Sequence, residues 1–285
     1  MIRQKSFENE GAKLYLVPTP IGNLNEMTPR ALEILNSVDV IACEDTRTSG
    51  QLLKHFSIHK RLIAYQNFNE ESASKGILNL LEQGNSVALI SDAGYPLISD
   101  PGQKVVTLVS HAGFPVVPVS GCSAVLNALV ASGLVVQPFL FAGFLPSSSN
   151  ECRKRLTYFK EYPETLIFYE APHRISKTLQ NILDVFGDRE MCIAREITKL
   201  HEEFLRGTVS ELLEVSDELK GEMVLVIAGN TESEEVSEED AVTVLKNKIA
   251  SGMSRRDAVK EAAKETGLGK NQMYDLLNSL DEEDV

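Results

Sequence analysis

The chain has 285 residues, 43% of them hydrophobic and 24% charged, a balance typical of folded globular proteins and not of disordered or fibrous ones. Its 28 Lys and Arg against 41 Asp and Glu give a formal net charge of −13, which by itself argues against a nucleic-acid partner. No apolar run approaches the roughly 20 residues that cross a bilayer, and the first residues lack a signal-peptide pattern. We therefore expect a cytoplasmic protein without a membrane partner.

The negative charge is spread unevenly along the chain. Residues 231–240 hold six acids, and the last five residues hold four more. The piece between them, 241–280, has seven Lys and Arg against four Asp and Glu, a balance of +3. Most of the excess acid therefore belongs to a predicted linker and to the C-terminal tail, so the distribution permits an RNA partner without indicating one.

Short β-rich runs alternate with helical patterns through the first 230 residues, which predicts an α/β fold with buried sheets. The predicted strands are 14–17, 38–43, 87–91, 116–119, 166–169, 191–195 and 223–228, and the predicted helices are 28–37, 72–83, 103–112, 124–131 and 175–186. We expect an N-terminal tail (1–12), two α/β domains (13–121 and 122–230), an acidic linker (231–240) and a helical C-terminal unit (241–285). Helices at 241–250, 255–266 and 270–280, with a Gly-Leu-Gly turn, are typical of either a helix-turn-helix or a small helical cap.

Four predicted strands run into turns of the kind that bind ligands in open α/β sheets. The first, 18–24, is rich in Pro and Gly but has neither a dinucleotide fingerprint nor a P-loop, and alone it could be an ordinary tight turn. The second holds Glu44, Asp45 and Arg47, which must face a cleft or form a buried ion pair. The third, 91–102, contains two Asp, two Gly and two Pro and is the most site-like segment of the chain. The fourth, 120–124, is a glycine turn that enters a helix.

The second half of the chain carries two further polar clusters at strand ends. His173 follows one strand, and taken alone it fits a structural or surface histidine better than a catalytic base. Arg195, Glu196, Lys199 and Glu203 follow another strand and could form a site or a solvated ion-pair network. The five histidines are widely separated and the four cysteines are single, so no metal site is expected.

Taken together, the motifs TPIGNL (19–24), EDTR (44–47), SDAGYPLISDPG (91–102), SGCSA (120–124), GFLP (143–146), FYEAPHR (168–174) and REITKLHEE (195–203) resemble the tetrapyrrole methylase superfamily. Within it, they resemble the branch that methylates small-subunit ribosomal RNA. The resemblance covers roughly residues 13–230 in order. It implies two α/β domains with a cleft between them, a homodimer and the methyl donor S-adenosylmethionine. The implied acceptor is the ribose 2′-hydroxyl of a decoding-centre cytidine in 16S rRNA within the small ribosomal subunit.

The resemblance also assigns residues to the donor site. By their positions in the family motifs these are Pro20, Ala93, Gly94, Tyr95, Ile98, Ser123, Ala124 and Tyr169. The chain departs from the family pattern at two places. Tyr95 stands where the family usually has Thr, and Ser120-Gly121-Cys122 replaces a Pro-Gly-Pro or Pro-Gly-Ala turn. A bulky side chain in the donor loop puts the details of the pocket in question.

Methylation of a sugar hydroxyl needs an aligned donor and a group that takes the proton. We expect the acceptor to be surrounded by the catalytic candidates Glu44, Asp45, His173, Glu196 and Lys199. The RNA-binding candidates are Arg47, Arg174, Arg255, Arg256 and Lys260, the last three in the C-terminal unit. Two alternatives stay open: a methyltransferase acting on a tetrapyrrole or another small molecule, and an RNA-binding protein without activity.

Overall fold

The chain folds into two compact units, Met1–Gly229 and Asn230–Val285. The computed structural model describes residues 1, 3–8, 11–230, 238–266 and 268–283. The first unit contains two five-stranded sheets with helices packed against them, and the second unit contains helices. The predicted α/β fold class with additional C-terminal helices is confirmed. None of the described helices is both long and apolar enough to span a membrane.

The first sheet consists of parallel strands whose carboxyl ends share one edge. Its strands are β1 (Leu14–Val17), β2 (Val40–Cys43), β3 (Arg61–Ala64), β4 (Val87–Ile90) and β5 (Val116–Pro118), in the order β3-β2-β4-β1-β5. Its helices are α1 (Pro29–Ser37), α2 (Thr46–His55), α3 (Glu70–Glu82) and α4 (Gln103–His111). Hydrophobic clusters cover both faces, so β2 and β4 are buried along their whole length, as their continuous apolar sequences predict.

The second sheet is mixed. The chain continues through α5 (Ala124–Ser132), β6 (Phe139–Phe144), α6 (Ser149–Phe159), β7 (Thr165–Glu170), α7 (Ile175–Phe186), β8 (Glu190–Arg195), β9 (Glu203–Thr208), α8 (Val209–Glu214) and β10 (Met223–Ile227). The order is β6-β7-β10-β8-β9, with β6 parallel to β7 and every other pair antiparallel. Because β10 runs against both of its neighbours, Met223 at its start lies opposite Glu170 and Arg195 at their ends.

Several elements were not predicted from the sequence. They are β3, β6, β9, α2, α6 and α8. The three strands lie at sheet edges and are only half-buried, so they lack the continuous apolar sequence of the central strands. Charged residues at the start of α2 carry no apolar helical pattern, but the Asp45 carboxylate accepts the Arg47 backbone N–H at 2.8 Å and caps the helix. A boundary at 121/122 stays a prediction, since the contacts group both sheets in one unit.

The second unit packs three helices around its own apolar core. They are α9 (Glu238–Ala250), α10 (Arg255–Thr266) and α11 (Lys270–Glu283). Ser254 Oγ accepts the Asp257 N–H at 3.2 Å and donates to its carboxylate at 2.6 Å, which caps α10. The first seven residues of the predicted acidic linker, 231–237, lie outside the described residues, and the last three begin α9.

Part of the predicted N-terminal tail is attached to the first sheet. Gln4 donates from its side-chain amide to the Val116 carbonyl and accepts the Val116 N–H, both at 2.9 Å. The amide thus imitates a neighbouring strand at the open edge of β5. Residues 2, 9 and 10 of this tail lie outside the described residues.

Candidate active site

A cavity of about 430 Å³ lies between the carboxyl-end loops of the first sheet and the facing strand ends of the second. Seven of the eight residues assigned to the methyl donor line it, namely Ala93, Gly94, Tyr95, Ile98, Ser123, Ala124 and Tyr169. Pro20, the eighth, is buried, and its neighbour Ile21 lines the cavity instead. Ile21 packs against Gly94: a Cβ added to Gly94 would lie 3.4 Å from Cγ2 of Ile21.

The first turn and the 91–102 loop are held together by backbone hydrogen bonds. Thr19 and Gly94 exchange both of their N–H···O=C bonds at 3.0 Å, forming an isolated antiparallel bridge. The Thr19 hydroxyl donates to the Ser91 carbonyl at 3.0 Å, and the Ser91 hydroxyl donates to the Gly94 carbonyl at 2.6 Å. Gly94 has a φ of +78°, a conformation that glycine adopts without a Cβ clash. These bonds fix the backbone that lines one wall of the cavity.

The rest of the 91–102 loop is strained and anchored from outside. Leu97 and Ser99 have φ values of 73° and 71°, in the left-handed region that non-glycine residues seldom occupy. The Glu70 carboxylate on α3 accepts the backbone N–H of Gly102 at 3.1 Å and stabilises the start of α4. Strain of this kind persists only where surrounding contacts hold it, and such residues cluster at functional sites.

Carboxylates accumulate where the loops after β2 and β4 meet. Burial, followed by the charges of Glu44 and Asp92, raises the pKa of Asp100 to about 6. Burial, followed by the charges of Asp92 and then Asp45, also raises the pKa of Glu44. Asp92 and Asp100 line the cavity, and burial, followed by the charge of Asp100, raises the pKa of Tyr169 to about 12. The cavity therefore has a negatively charged side, which favours a cationic ligand.

Asp45 and Arg47 form an ion pair at the start of α2. The guanidinium donates from Nε and Nη2 to the two carboxylate oxygens at 3.2 and 2.8 Å. These bonds, together with the Arg47 backbone N–H, lower the pKa of Asp45 to about 2. The Arg47 side chain is 88% exposed, so it presents its charge to solvent while it holds Asp45 ionised.

Arg174 is engaged within the fold. The Glu170 carboxylate has no exposed surface and accepts hydrogen bonds from the Ala171 N–H at 2.7 Å, the Thr178 hydroxyl at 2.6 Å and Arg174 Nε at 2.7 Å. Arg174 therefore neutralises the buried Glu170 carboxylate, although the sequence predicts that it binds RNA. His173, between Arg174 and the cavity-lining Pro172, is exposed at the rim.

Lys199 joins two carboxylates across the site. Its ammonium donates to Glu196 and to Glu222 at 2.9 Å each, and the bond from Lys199 is the first cause of the lowered pKa of Glu196. Its side chain crosses Gly22, where any Cβ would overlap Lys199 Cγ. Glu196 and Lys199 therefore bind each other and connect the second sheet to the first turn of the first sheet.

The remaining RNA-binding candidates lie in the second unit. Arg255, Arg256 and Lys260 are all exposed on α10.

The sequence and the fold both match known methyltransferases. Residues 13–213 match the family model of tetrapyrrole (corrin/porphyrin) methylases. A protein of Bacillus subtilis (strain 168) called ribosomal RNA small subunit methyltransferase I is 44% identical, with 97% of this chain and 98% of the relative covered. The chain belongs to the tetrapyrrole methylase family. A Synechocystis relative with the same name is 42% identical over 94% of this chain and 98% of its own.

Solved structures of tetrapyrrole methylases and related enzymes share the fold. Diphthine synthase superposes with a TM-score of 0.59 at 14% identity, covering 76% of this chain and 90% of its own. Uroporphyrin-III-C-methyltransferase from Thermus thermophilus superposes with a TM-score of 0.53 at 20% identity, covering 76% of this chain and 94% of its own. At these identities the likeness establishes the architecture alone.

The cavity fits the methyl donor of the tetrapyrrole methylase family, S-adenosylmethionine. Its volume lies within the usual range for cofactor sites of about 300–1,000 Å³. Apolar side chains of Ile21, Ile98 and Val224 suit the adenosyl group, and the carboxylates of Asp92 and Asp100 suit a cationic sulfur. Among the described residues, no three His, Cys, Asp or Glu side chains are grouped so that they could hold a metal ion.

Sequence reasoning missed five acidic or aromatic residues of the cavity wall, namely Asp92, Asp100, Phe144, Glu170 and Glu222. The two aspartates belong to the loop that was singled out, and acids at a strand end were a usable signal. Phe144 belongs to a motif of the resemblance but received no role. Glu222 precedes a strand, so only the antiparallel pairing of β10 brings it to the site.

Replacing Asp100 by Asn should make stability less dependent on pH. Because the pKa of Asp100 rises from its ordinary 3.8 to about 6 on folding, ionisation of Asp100 costs stability as pH rises from about 4 through about 6. We expect Asp100→Asn to stabilise the ligand-free chain at about pH 8, by at most ~3 kcal/mol at 1.36 kcal/mol per pKa unit, and far less at about pH 4. Urea unfolding at the two pH values measures this. Equal changes at both would indicate altered packing and not a removed charge.

Proposed function

We propose that this chain transfers a methyl group from S-adenosylmethionine to the ribose 2′-hydroxyl of a decoding-centre cytidine in 16S rRNA. The observation that carries the proposal is the near full-length match, at 42–44% identity, to proteins named ribosomal RNA small subunit methyltransferase I. The cavity supports it, because motifs of both sheets meet there. We place the enzyme in the cytoplasm, where a ribosomal RNA substrate is found.

When bound, S-adenosylmethionine supplies an electrophilic methyl group on a positively charged sulfur. The backbone of Ala93 and Gly94 and the start of α5 at Ser123 and Ala124 would hold it. Helix starts present free N–H groups to polar ligand atoms. The protein's part in such a displacement is to align the two reactants and exclude water, and effective molarities show that alignment alone supplies much of the rate.

A ribose hydroxyl needs a proton acceptor, and the surroundings separate the five catalytic candidates. Arg47 keeps Asp45 ionised, with a pKa of about 2, and Lys199 lowers the pKa of Glu196, so both are weak bases. Glu44 has a raised pKa and is therefore the stronger base, so we propose that it accepts the proton of the ribose hydroxyl. His173, exposed beside the cavity-lining Pro172, is the second candidate for the proton acceptor.

The two cationic candidates receive different roles. Lys199 is held by Glu196 and Glu222, so we propose that it fixes the loops and does not bind phosphate. Arg47 is exposed at the same edge of the first sheet as the carboxylates, so we propose that it contacts an RNA phosphate.

Transfer from radiolabelled S-adenosylmethionine to small ribosomal subunits lacking the modification tests the proposal. We expect the label in 2′-O-methylcytidine after digestion to nucleosides. Glu44→Gln should lower kcat about 100-fold or more without weakening donor binding, because it removes only the proton acceptor. Glu71→Gln, which removes an exposed carboxylate paired with Lys75 on α3, is the matched control and should leave kcat unchanged.

Two results would contradict the proposed reaction, and a third would contradict the role of Glu44. Label in a tetrapyrrole or another small molecule, with none in RNA, would favour the small-molecule alternative. Binding of RNA without any binding of the donor would favour the non-catalytic alternative. Full activity of Glu44→Gln would remove Glu44 from the chemistry while leaving the reaction in place.

We propose further that the enzyme is a homodimer that pairs through α5 and the segment after it. Five large apolar side chains between residues 126 and 139 are 40–72% exposed, namely Leu126, Val130, Val135, Val136 and Phe139. Exposed apolar surface of this kind is typical of interfaces. A second copy of the same surface is its simplest complement, because two-fold contacts are self-complementary.

Val130→Asp should convert the dimer to a monomer, because it places a charge in the proposed interface. Val215→Asp is the control, since Val215 is also 40% exposed but lies outside this segment. Sedimentation velocity measures both. A wild-type monomer would refute the dimer, and a dimeric Val130→Asp variant would refute the assigned face.

RNA contacts are proposed for one side of α10. Arg256, Lys260 and Lys264 are exposed and spaced four residues apart, so they form one basic stripe along the helix. Four residues rise about 6 Å along a helix, so the three charges span about 12 Å of an elongated polyanion. Asp257, Glu261 and Glu265 form a parallel acidic stripe, which leaves only one side of the helix suited to phosphate.

Replacing all three stripe cations by Gln should weaken RNA binding and its salt dependence. Each phosphate contact contributes about 0.7–0.9 to the slope of log Kobs against log salt concentration, so the slope should fall by about 2. Neutralising the acidic stripe instead (Asp257→Asn with Glu261→Gln and Glu265→Gln) should not reduce the slope. An unchanged slope in the basic variant, with donor binding intact, would show that this helix does not contact RNA.

A further inference from the structure

The loop after β4 and the turn after β5 are joined by a hydrogen bond from backbone to side chain. The Tyr95 hydroxyl accepts the backbone N–H of Gly121 at 3.0 Å. Tyr95 belongs to the loop after β4, and Gly121 belongs to the turn after β5 that leads into α5. A side chain in one wall of the cavity therefore holds the backbone of the neighbouring turn.

The turn at Gly121 is also confined from its other side. A Cβ added to Gly121 would overlap the ring of Pro18, which belongs to the first turn. The first turn is in turn bound to the 91–102 loop by the exchange between Thr19 and Gly94. Three separate turns are thus closed into a ring of contacts, with the phenol of Tyr95 as one of its links.

The hydrogen bond between Tyr95 and Gly121 joins two parts of the wall of the donor cavity. Ala93, Gly94 and Tyr95 line one part of the cavity, and Ser123 and Ala124 line another, two and three residues after Gly121. The Ser123 side chain accepts the Leu126 N–H at 3.4 Å, so the start of α5 moves with this turn. A change in the distance between Tyr95 and Gly121 would change the spacing of the two parts.

We propose that Tyr95 is a positioning residue for the methyl donor, setting the spacing between the 91–102 loop and the start of α5. The inference rests on the assignment of this cavity to S-adenosylmethionine. A threonine at position 95 would end several bonds short of Gly121 and could not form the link, which requires the length of the tyrosine side chain.

Removing the Tyr95 hydroxyl should weaken donor binding by the value of one hydrogen bond. A net contribution of about 0.5–1.5 kcal/mol corresponds to a roughly 2- to 13-fold higher Kd. Tyr95→Phe keeps the ring and its packing, so the turnover number at saturating donor should stay near the wild-type value while KM for the donor rises. A purely structural residue would instead lower the thermal unfolding midpoint and the amount of active enzyme together.

The experiment is calorimetric titration of the full chain with S-adenosylmethionine and with S-adenosylhomocysteine, using Tyr95→Phe, Tyr95→Thr and Tyr162→Phe. Tyr162 donates from its hydroxyl to the Tyr158 hydroxyl at 3.0 Å and does not line the cavity, so its variant is the matched control. We expect weaker binding in both Tyr95 variants, without rescue by Thr, and wild-type binding in Tyr162→Phe. Thermal unfolding of the same samples shows whether the variants fold alike.

Wild-type affinity in Tyr95→Phe or in Tyr95→Thr would overturn the inference, and so would a loss of kcat with unchanged KM. These titrations contain no RNA, so their outcome is independent of the acceptor. A wild-type chain that binds the donor but leaves ribosomal RNA unmethylated would refute the proposed substrate and not the role of Tyr95. A wild-type chain that binds no donor would refute both.

Discussion

The candidate site depends on the parallel register of β1, β2 and β4. Parallel strands bring their carboxyl ends to one edge, and the order β3-β2-β4-β1-β5 makes the loops after β1 and β2 flank the loop after β4. The strands β2 and β4 are apolar and buried, so the acids Glu44, Asp92 and Asp100 stand in the loops beyond them. A rigid, covered sheet thus supports loops whose own conformations are strained at Leu97 and Ser99.

Charge pairing explains which acids of the site remain free to react. Glu170 is neutralised by Arg174, Glu196 by Lys199, and Asp45 by Arg47. Glu44, Asp92 and Asp100 form no ion pair within the described part of the chain. Burial is the first cause that raises the pKa of each, and the charges of neighbouring carboxylates raise it further. Like charges held close together favour either a proton or a cationic ligand, and a sulfonium donor is such a ligand.

The second sheet contributes by a different principle. Its antiparallel strand β10 begins where β7 and β8 end, so Glu222 and Met223 join the same edge as Tyr169 and Arg195. The Lys199 side chain then crosses Gly22 and ties this edge to the first turn. The cavity therefore depends on a contact between two motifs that are far apart in sequence, and glycine at position 22 is required for that contact.

The sequence by itself determined the α/β class, the central strands, the loops that follow them and the family, because apolar strands and glycine-rich turns are local patterns. Only the tertiary structure decided which of these loops meet. Half-exposed edge strands such as β3 and β9 have no continuous apolar signal, and Glu222 reaches the site through antiparallel pairing alone. The same holds for Arg174 and Lys199, whose partners are fixed by packing, and for Tyr95 and Gly121, which are 26 residues apart. The local sequence gives the chemical type of each side chain, whereas burial and the pairing of distant segments determine which partner its charge or hydroxyl binds.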